Sequence, residues 1–403
     1  MGDGTDSLEF EKMSVPSGNS LVRIAFAGGG TGGHTAPILA VVDELRQRFA
    51  DRVELLWLGG RAGPEGEAAL ARRVAFVAVP AAKLRRYADV RNFTELPFVL
   101  AGLLLSLREL KRFGAQALLS TGGYVSLPPT LAAYLLRIPI LVHEQTALAG
   151  LATRIEARLA SRVAVSFPSS TEHFQSGKVF VSGNPVRKEV LEGDRQKGLA
   201  VLGFSNSSPV VYITGGIQGA HALNRVVGMC LQDLVVLAQV VHQCGRQPAG
   251  FEQDLPWLLS LRERLPPELR ARYVVRERIR EEIGHVYAAA DLVIGRAGAG
   301  TVFELAAAGR PAVLVPLPGS AAGEQVLNAR ALEALGAAVV LEQQYLNPTS
   351  LLELLRGLLG DRQKLRSMGE KARRLYRPDA AEVLADVLVG LATGRARART
   401  EVL

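Results

Sequence analysis

Apolar and polar positions along this chain follow two periods. Residues 21–27 are a short apolar run that stops at Gly28-Gly-Gly-Thr-Gly-Gly33. Beyond it Ile38, Val41, Val42, Leu45 and Phe49 recur at helical spacing, with Asp43, Glu44, Arg46 and Arg48 on the other face, the mark of an amphipathic helix. The chain thus opens with a strand, a glycine loop and a helix. Apolar runs at 53–58, 73–79, 117–120, 138–143 and 163–166 predict further strands, with helical segments between them. Strands alternating with helices indicate a parallel sheet covered on both faces.

The pattern pauses in a polar stretch at 188–208 and restarts with Val210–Thr214, a second glycine loop (Gly215-Gly-Ile-Gln-Gly219) and a helix through 222–227. Residues 291–331 then predict a strand at 292–295, an Ala/Gly loop, a helix at 301–308 stopped by Gly309, a strand at 312–316, and another helix from about 323. The tail from Pro348 is helical, with a break at Arg377-Pro378. These patterns divide the chain into a disordered lead (1–20), an N-terminal domain (21–182), a linker (183–208), a C-terminal domain (209–375), a helix at 376–394 returning to the N-terminal domain, and a basic tail (395–403). The expected fold is α/β: two Rossmann-like, doubly wound domains facing a central cleft at the carboxyl ends of their strands.

Composition narrows the classes. The chain has 403 residues, 48% hydrophobic and 21% charged, a globular balance far from disorder. Forty-seven Lys and Arg against 39 Asp and Glu leave a net charge of +8, which suits an anionic ligand or an acidic membrane face at least as well as nucleic acid. Cys230 and Cys244 cannot staple so long a chain, and no Cys/His cluster has metal spacing. A disulfide scaffold and a structural zinc are excluded, and a reducing compartment is expected. Residues 1–20 lack the basic start and apolar stretch of a signal peptide. The longest apolar run, 96–107, contains Pro97 and ends at Arg108, well short of the roughly 20 residues that span a bilayer.

Gly28, Gly30 and Gly33 satisfy G-x-G-x-x-G between a strand and a helix, so a dinucleotide-binding enzyme must be weighed. Such a site wants a carboxylate at the end of the second strand, on the ribose. Here that strand ends Leu58-Gly59-Gly60-Arg61. The first loop instead places His34 at a helix start. In the 297–304 segment small residues let an anion approach the backbone, and the helix N-terminus suits a diphosphate. Glu304, one turn inside, is read either as a ribose contact or as a carboxylate complementing the helix dipole.

The motifs AGGGTGGHTAP (27–37), STGGYVSLPP (120–129), HEQTALAGLATR (143–154), GNPVR (183–187), GGIQGAHALN (215–224), GRAGAGTVFELAAAGRPAVLVP (295–316) and GEQVLNA (323–329) occur in order. Together they resemble glycosyltransferase family 28, a family of GT-B fold, over residues 21–390. The resemblance implies an inverting transfer of GlcNAc from UDP-GlcNAc to the C4 hydroxyl of MurNAc in undecaprenyl-pyrophosphoryl-MurNAc-pentapeptide. The enzyme would need no cofactor and bind no nucleic acid, working at an anionic membrane surface on the cytoplasmic face of the cell membrane. Alternatives on the same fold are another GT-B lipid glycosyltransferase and a nucleotide-sugar epimerase.

Carried over by position, Thr31, Gly32 and Gly33 lie by the donor sugar and diphosphate, and His34 is the candidate base, with Glu144 second. Arg187 meets the donor phosphates. Ile217 and Gln218 line the second glycine loop, and the Ile279 backbone meets uracil. Ala299, Gly300, Thr301, Val302, Phe303 and Glu304 cradle the diphosphate and ribose, and Glu324 and Gln325 hold the GlcNAc ring. Tyr124, Glu144 and Thr146 fall in acceptor-side loops, Thr146 being counted with the donor contacts.

The chain departs from the family pattern at Thr146 (usually Asn), Ile217 (usually Ser), Glu324 (usually Gln or His) and Arg278-Ile279-Arg280 (usually Phe-Ile-Asp). No Asp-x-Asp tripeptide occurs. A helix N-terminus at 301 and the Arg187 guanidinium are therefore expected to do what a metal ion does in other sugar transferases. Lys83, Arg85, Arg86 and Arg91 interleave with Leu84, Tyr87 and Phe93 before an apolar helix holding Phe98, Leu100 and Leu103 to Leu105, a pattern suited to an anionic interface.

Overall fold

The computed structural model describes residues 21–29, 32–61, 65–81, 91–247, 250–320 and 323–395, with the backbone alone for 91–95. The lead at 1–20, Thr31, Lys83, Leu84, Arg85, Arg86, Tyr87 and the tail beyond Arg395 lie outside the described residues, as do the side chains of Arg91 and Phe93.

The chain divides into two units. The first contains strands β1 (Val22–Ala27), β2 (Val53–Gly59), β3 (Ala75–Ala78), β4 (Ala117–Ser120), β5 (Ile140–Glu144), β6 (Arg162–Val165) and β7 (Val179–Val181). All pair in parallel, in the order β3-β2-β1-β4-β5-β6-β7. Helices α1 (Gly32–Phe49), α2 (Glu65–Ala71), α3 (Arg91–Phe113), α4 (Leu127–Leu135) and α5 (Leu151–Leu159) connect them. Strand period two explains how the sheet is covered on both faces. From β1, Ile24 and Phe26 join Ile38, Val41 and Leu45 of α1 in one cluster, while Ala25 and Ala27 join Leu110 of α3 and Ala132 of α4 in the other. Strand order reverses between β1 and β4, the place where doubly wound sheets bind ligands. The loops after Ala27 and Ser120, which are register partners, leave from there.

The second unit comprises Thr146–Leu148 and Val186–Pro378. Its strands are β8 (Val210–Thr214), β9 (Gln239–Gln243), β10 (Tyr273–Arg276), β11 (Leu292–Gly295), β12 (Ala312–Leu314) and β13 (Ala338–Val340). They repeat the same parallel order, β10-β9-β8-β11-β12-β13. The polar stretch that reads as a linker carries two short helices, α6 (Lys188–Leu191) and α7 (Arg195–Leu202). Asp194 caps α7 by accepting from Lys197 N–H, and Gly203 closes it in the left-handed conformation. After α8 (His221–Met229), α9 (Leu231–Leu237), α10 (Asp254–Glu263) and α11 (Pro267–Arg270) comes α12 (Ile283–Ala289), against which α7 packs. A Cβ on Gly198 would stand 2.1 Å from His285 O, so this crossing requires glycine. Helices α13 (Ala299–Ala308), α14 (Glu324–Ala334), α15 (Pro348–Leu359) and α16 (Arg362–Ala372) complete the unit.

The helical tail breaks around Pro378, and α17 (Ala380–Ala392) belongs to the first unit. It packs on α1, β1 and β4. Leu384 and Leu388 are wholly buried there, and Asp386 takes a 2.7 Å ion pair from Arg48 of α1. No described helix is long and apolar enough to cross a membrane.

Candidate active site

In the first unit, α1 starts at Gly32, on the last two glycines of the first loop, and brings His34 to the end of β4. Its Nδ1 lies 2.7 Å from Thr121 O, and Thr121 Oγ1 donates back to His34 O at 2.8 Å. A carbonyl oxygen only accepts, so Nδ1 carries a hydrogen, and in the neutral ring the lone pair is on Nε2. Gln145 Nε2 donates to the same Thr121 O at 2.8 Å. Gly123, at φ +88°, lies against the ring: a Cβ there would sit 3.5 Å from His34 Nε2 and 3.0 Å from Gly29 O. Tyr124 follows, 40% exposed.

Glu144, buried at the end of β5, accepts from Gly150 N–H at 3.3 Å. Beside it His143 is wholly enclosed, with Nε2 3.1 Å from Gly183 O. Burial pushes this imidazole down to about 4, a lowering to which nearby His34 adds and which the Gly183 contact partly offsets. It is neutral, and Nε2–H donates to Gly183 O. On α5, the fully buried Glu156 lies 2.6 Å from Ser120 Oγ and 2.5 Å from Ser126 Oγ. Burial raises its carboxyl to about 7, the two serine contacts opposing and the Glu144 charge assisting.

In the second unit, α13 begins at the end of β11 with Gly298 as an extended N-cap and no side-chain cap. A Cβ at Gly298 or Gly300 would meet nothing within 4 Å, so this helix end faces open space. The Val302 amide donates to Gly298 O at 3.0 Å. The amides of Ala299, Gly300 and Thr301 precede the first intrahelical bond and have no helical acceptor. Val302 and Phe303 are wholly buried, so their side chains serve the core.

Glu304 holds Arg187: Nε and Nη2 donate to Oε1 at 2.9 and 2.6 Å. Tyr287 O–H donates to Oε2 at 3.0 Å. The carboxylate holds Arg187 firmly protonated, and burial together with the Glu304 charge keeps the Tyr287 hydroxyl neutral. Two residues expected on separate parts of the donor are therefore an ion pair.

The backbone of Ile279 is expected on uracil; its amide donates to Gln243 Oε1 at 2.9 Å. Gln243 Nε2 reaches Gly216 O and Thr214 Oγ1 at 3.2 and 3.3 Å, tying the second glycine loop to β9. In that loop Ile217 and Gln218 are exposed. Gly323, in the left-handed conformation, is the N-cap of α14, which begins at Glu324. Gln325 Oε1 accepts from Leu317 N–H at 3.0 Å. Thr146 Oγ1 donates to Leu148 O at 2.7 Å. The next amide, Ala147 N–H, donates to Asn328 Oδ1 at 2.9 Å, and Asn328 Nδ2 holds Ala297 O at 3.1 Å.

Thus His34, Tyr124 and Glu144 gather at the carboxyl edge of the first sheet. Arg187, Ile217, Gln218, Ile279, Ala299 to Glu304, Glu324 and Gln325 belong to the second unit. Gly32 and Gly33 open α1. Sequence reasoning missed Glu156, Gln243, Tyr287 and Asn328. For Glu156 a signal existed: it shares the buried side of α5 with Thr153 and Ala157, a poor place for an unsatisfied carboxyl.

Two parallel, doubly wound units, one with a histidine at its sheet edge and the other with a helix N-terminus and an arginine paired to Glu304 of that helix, fit a nucleotide-sugar transferase of GT-B architecture. The N-terminal domain of glycosyltransferase family 28 matches residues 24–165, and the family's C-terminal domain matches 210–384. The chain belongs to this family. It is 34% identical to a UDP-N-acetylglucosamine–N-acetylmuramyl-(pentapeptide) pyrophosphoryl-undecaprenol N-acetylglucosamine transferase of Clostridium kluyveri, over 83% of this chain and 91% of that one. A second transferase of this name, from Bacillus cereus, is also 34% identical, over 87% and 95%. Among solved structures, MurG of Acinetobacter baumannii superposes with a TM-score of 0.69 at 30% identity, over 91% of this chain and 99% of that one. A UDP-GlcNAc 2-epimerase of Neisseria meningitidis reaches 0.63 at 13% identity, covering 91% and 99%, and shares the fold alone.

Proposed function

We propose that this enzyme transfers GlcNAc from UDP-GlcNAc to the C4 hydroxyl of MurNAc in undecaprenyl-pyrophosphoryl-MurNAc-pentapeptide, by a single displacement with inversion. Nε2 of His34 takes the hydroxyl proton as that oxygen bonds to C1 of GlcNAc, and the bond from C1 to the β-phosphate oxygen breaks with its electron pair on UDP. The observation that carries this assignment is the Nδ1 contact with Thr121 O, which leaves the other ring nitrogen able to accept a proton. Tyr124 and Glu144 are assigned to the acceptor.

The amides of Ala299, Gly300 and Thr301 receive the diphosphate, aided by the positive helix end, with Val302 and Phe303 contributing backbone only. Thr31, Gly32 and Gly33 are assigned to the donor on the family resemblance alone. Glu304 accepts from a ribose hydroxyl on Oε2, whose second lone pair remains usable beside Tyr287. Arg187 then balances both carboxylate and phosphate. At Ile279 the amide is already engaged, so uracil is read through the carbonyl. Ile217, Gln218, Thr146, Glu324 and Gln325 border the sugar.

The membrane-facing surface is assigned to α3. Phe98, Leu100 and Leu104 are 58%, 51% and 68% exposed, with Arg108 and Arg112 exposed towards the helix end. An apolar face bordered by cations suits a peripheral position on an anionic cytoplasmic leaflet.

His34→Ala should lower kcat about 10²–10⁴-fold with donor KM nearly unchanged, measured with UDP-GlcNAc and the lipid acceptor. A loss confined to KM would move the base elsewhere.

A further inference from the structure

The hydroxyl contacts around Glu156 can be counted hydrogen by hydrogen. Gly122 N–H donates to Ser120 Oγ at 3.2 Å, and Ser120 O–H reaches Glu156 Oε2 at 2.6 Å. On the other side Ser126 Oγ lies 2.5 Å from Glu156 Oε1 and 2.7 Å from Gly123 O. Gly123 O and an ionised carboxylate are both acceptors, and Ser126 has one hydroxyl hydrogen. Both contacts are satisfied only when Oε1 carries a proton: Glu156 donates to Ser126, and Ser126 donates to Gly123. A chain of donors then runs from the Gly122 amide through Ser120, Glu156 and Ser126 to the Gly123 carbonyl, with every hydrogen used once.

We infer that Glu156 is a positioning residue whose neutral carboxylic acid closes this ring and so holds the Gly122–Gly123 segment against the His34 imidazole. The segment it grips is the one whose glycines border the ring, next to the Thr121 carbonyl that orients it. Ionisation draws the Ser126 hydrogen onto the carboxylate and leaves Gly123 O with only the longer Ser126 N–H contact of 3.2 Å. The charged group acting on Glu156 from the neighbouring strand is Glu144 of β5, and it favours the neutral form, as burial does. His34 stands on the far side of the loop, on α1.

This inference rests on His34 as the base, and one set of variants separates the two. Glu156→Gln keeps the ring, since its carbonyl accepts from Ser120 and its amide donates to Ser126, but cannot ionise. Glu156→Leu and Ser126→Ala both break it. Acceptor kcat/KM should fall about tenfold in the two broken variants, the scale of one lost buried hydrogen bond, with donor KM unmoved and Glu156→Gln restoring most of the loss. The ratio of wild-type to Glu156→Gln activity should decline as pH rises through about 7. A ratio flat with pH, or Glu156→Leu and Ser126→Ala at wild-type acceptor kcat/KM, would overturn the inference, while a dead His34→Ala enzyme in the same assay would leave the base assignment standing.

Discussion

Between Thr121 and His34 two hydrogen bonds run in opposite directions, one from ring to carbonyl and one from hydroxyl to carbonyl. Together they fix the place of the ring and of its proton. The same arithmetic governs the buried histidines. His242 lies 2.9 Å from Asn224 Oδ1 and 2.8 Å from the Tyr273 hydroxyl, and burial pushes it down to about 3. His143 is pushed down to about 4. An unfolded chain protonates both rings near the ordinary 6.5, so the stability they contribute is full above that pH and is lost as pH falls towards 4 and 3. Glu156 acts with the opposite sign: its contribution is full below about 4.5 and is lost as pH rises through 7. Amide exchange in β9, around His242, should therefore accelerate between pH 6.5 and 4 after correction for intrinsic rates; unchanged protection would contradict the burial account. At this scale motifs exposed His34, Arg187 and Glu304 in the sequence. Their partners stayed hidden because Arg187 and Glu304 are 117 positions apart and the Thr121 contact is made by backbone.

Elements were legible where both faces of a strand are covered. β4, β8 and β11 read as apolar runs, and β1 as one interrupted only by Arg23, because parallel strands between two helical layers have no polar face. β9 did not: Gln239-Val-Val-His-Gln243 is entirely buried yet polar at both ends. Its polar groups are satisfied by Ser205, Asn224, Tyr273 and Ile279. β7 and β13 have three residues each, too few to show a period. The 188–208 stretch reads as a linker because α6 and α7 are short and bury only Val190, Leu199 and Leu202 as large apolar side chains, too few to show a period. Two predictions belong here. Leu388→Ala, at a wholly buried position of α17, should destabilise the first unit by about 2–5 kcal/mol in urea denaturation; a change within error would mean that the helix is peripheral to that core. Leu100→Glu with Leu104→Glu on α3 should reduce binding to anionic vesicles while leaving donor binding intact, and undiminished sedimentation with vesicles would remove α3 from the membrane face.

Two copies of one plan make up the whole molecule. Both sheets run 3-2-1-4-5-6 in their own numbering, the first with a seventh strand added. Both place a glycine loop after the central strand, which is why the strand–loop–helix pattern recurs in the sequence. Duplication of the plan allows the division of labour proposed above, with the base and the acceptor assigned to the first unit and the nucleotide sugar to the second. In the proposed reaction, backbone amides at the start of α13, with Arg187, stabilise the departing diphosphate. Radiolabelled UDP-GlcNAc, incubated with the lipid-linked MurNAc-pentapeptide and pure enzyme in EDTA, tests it most directly. Label should pass to the lipid fraction at the rate seen without chelator and much more slowly with Arg187→Ala. Label absent from the lipid, or transfer that EDTA abolishes and only Mg²⁺ or Mn²⁺ restores, would contradict it.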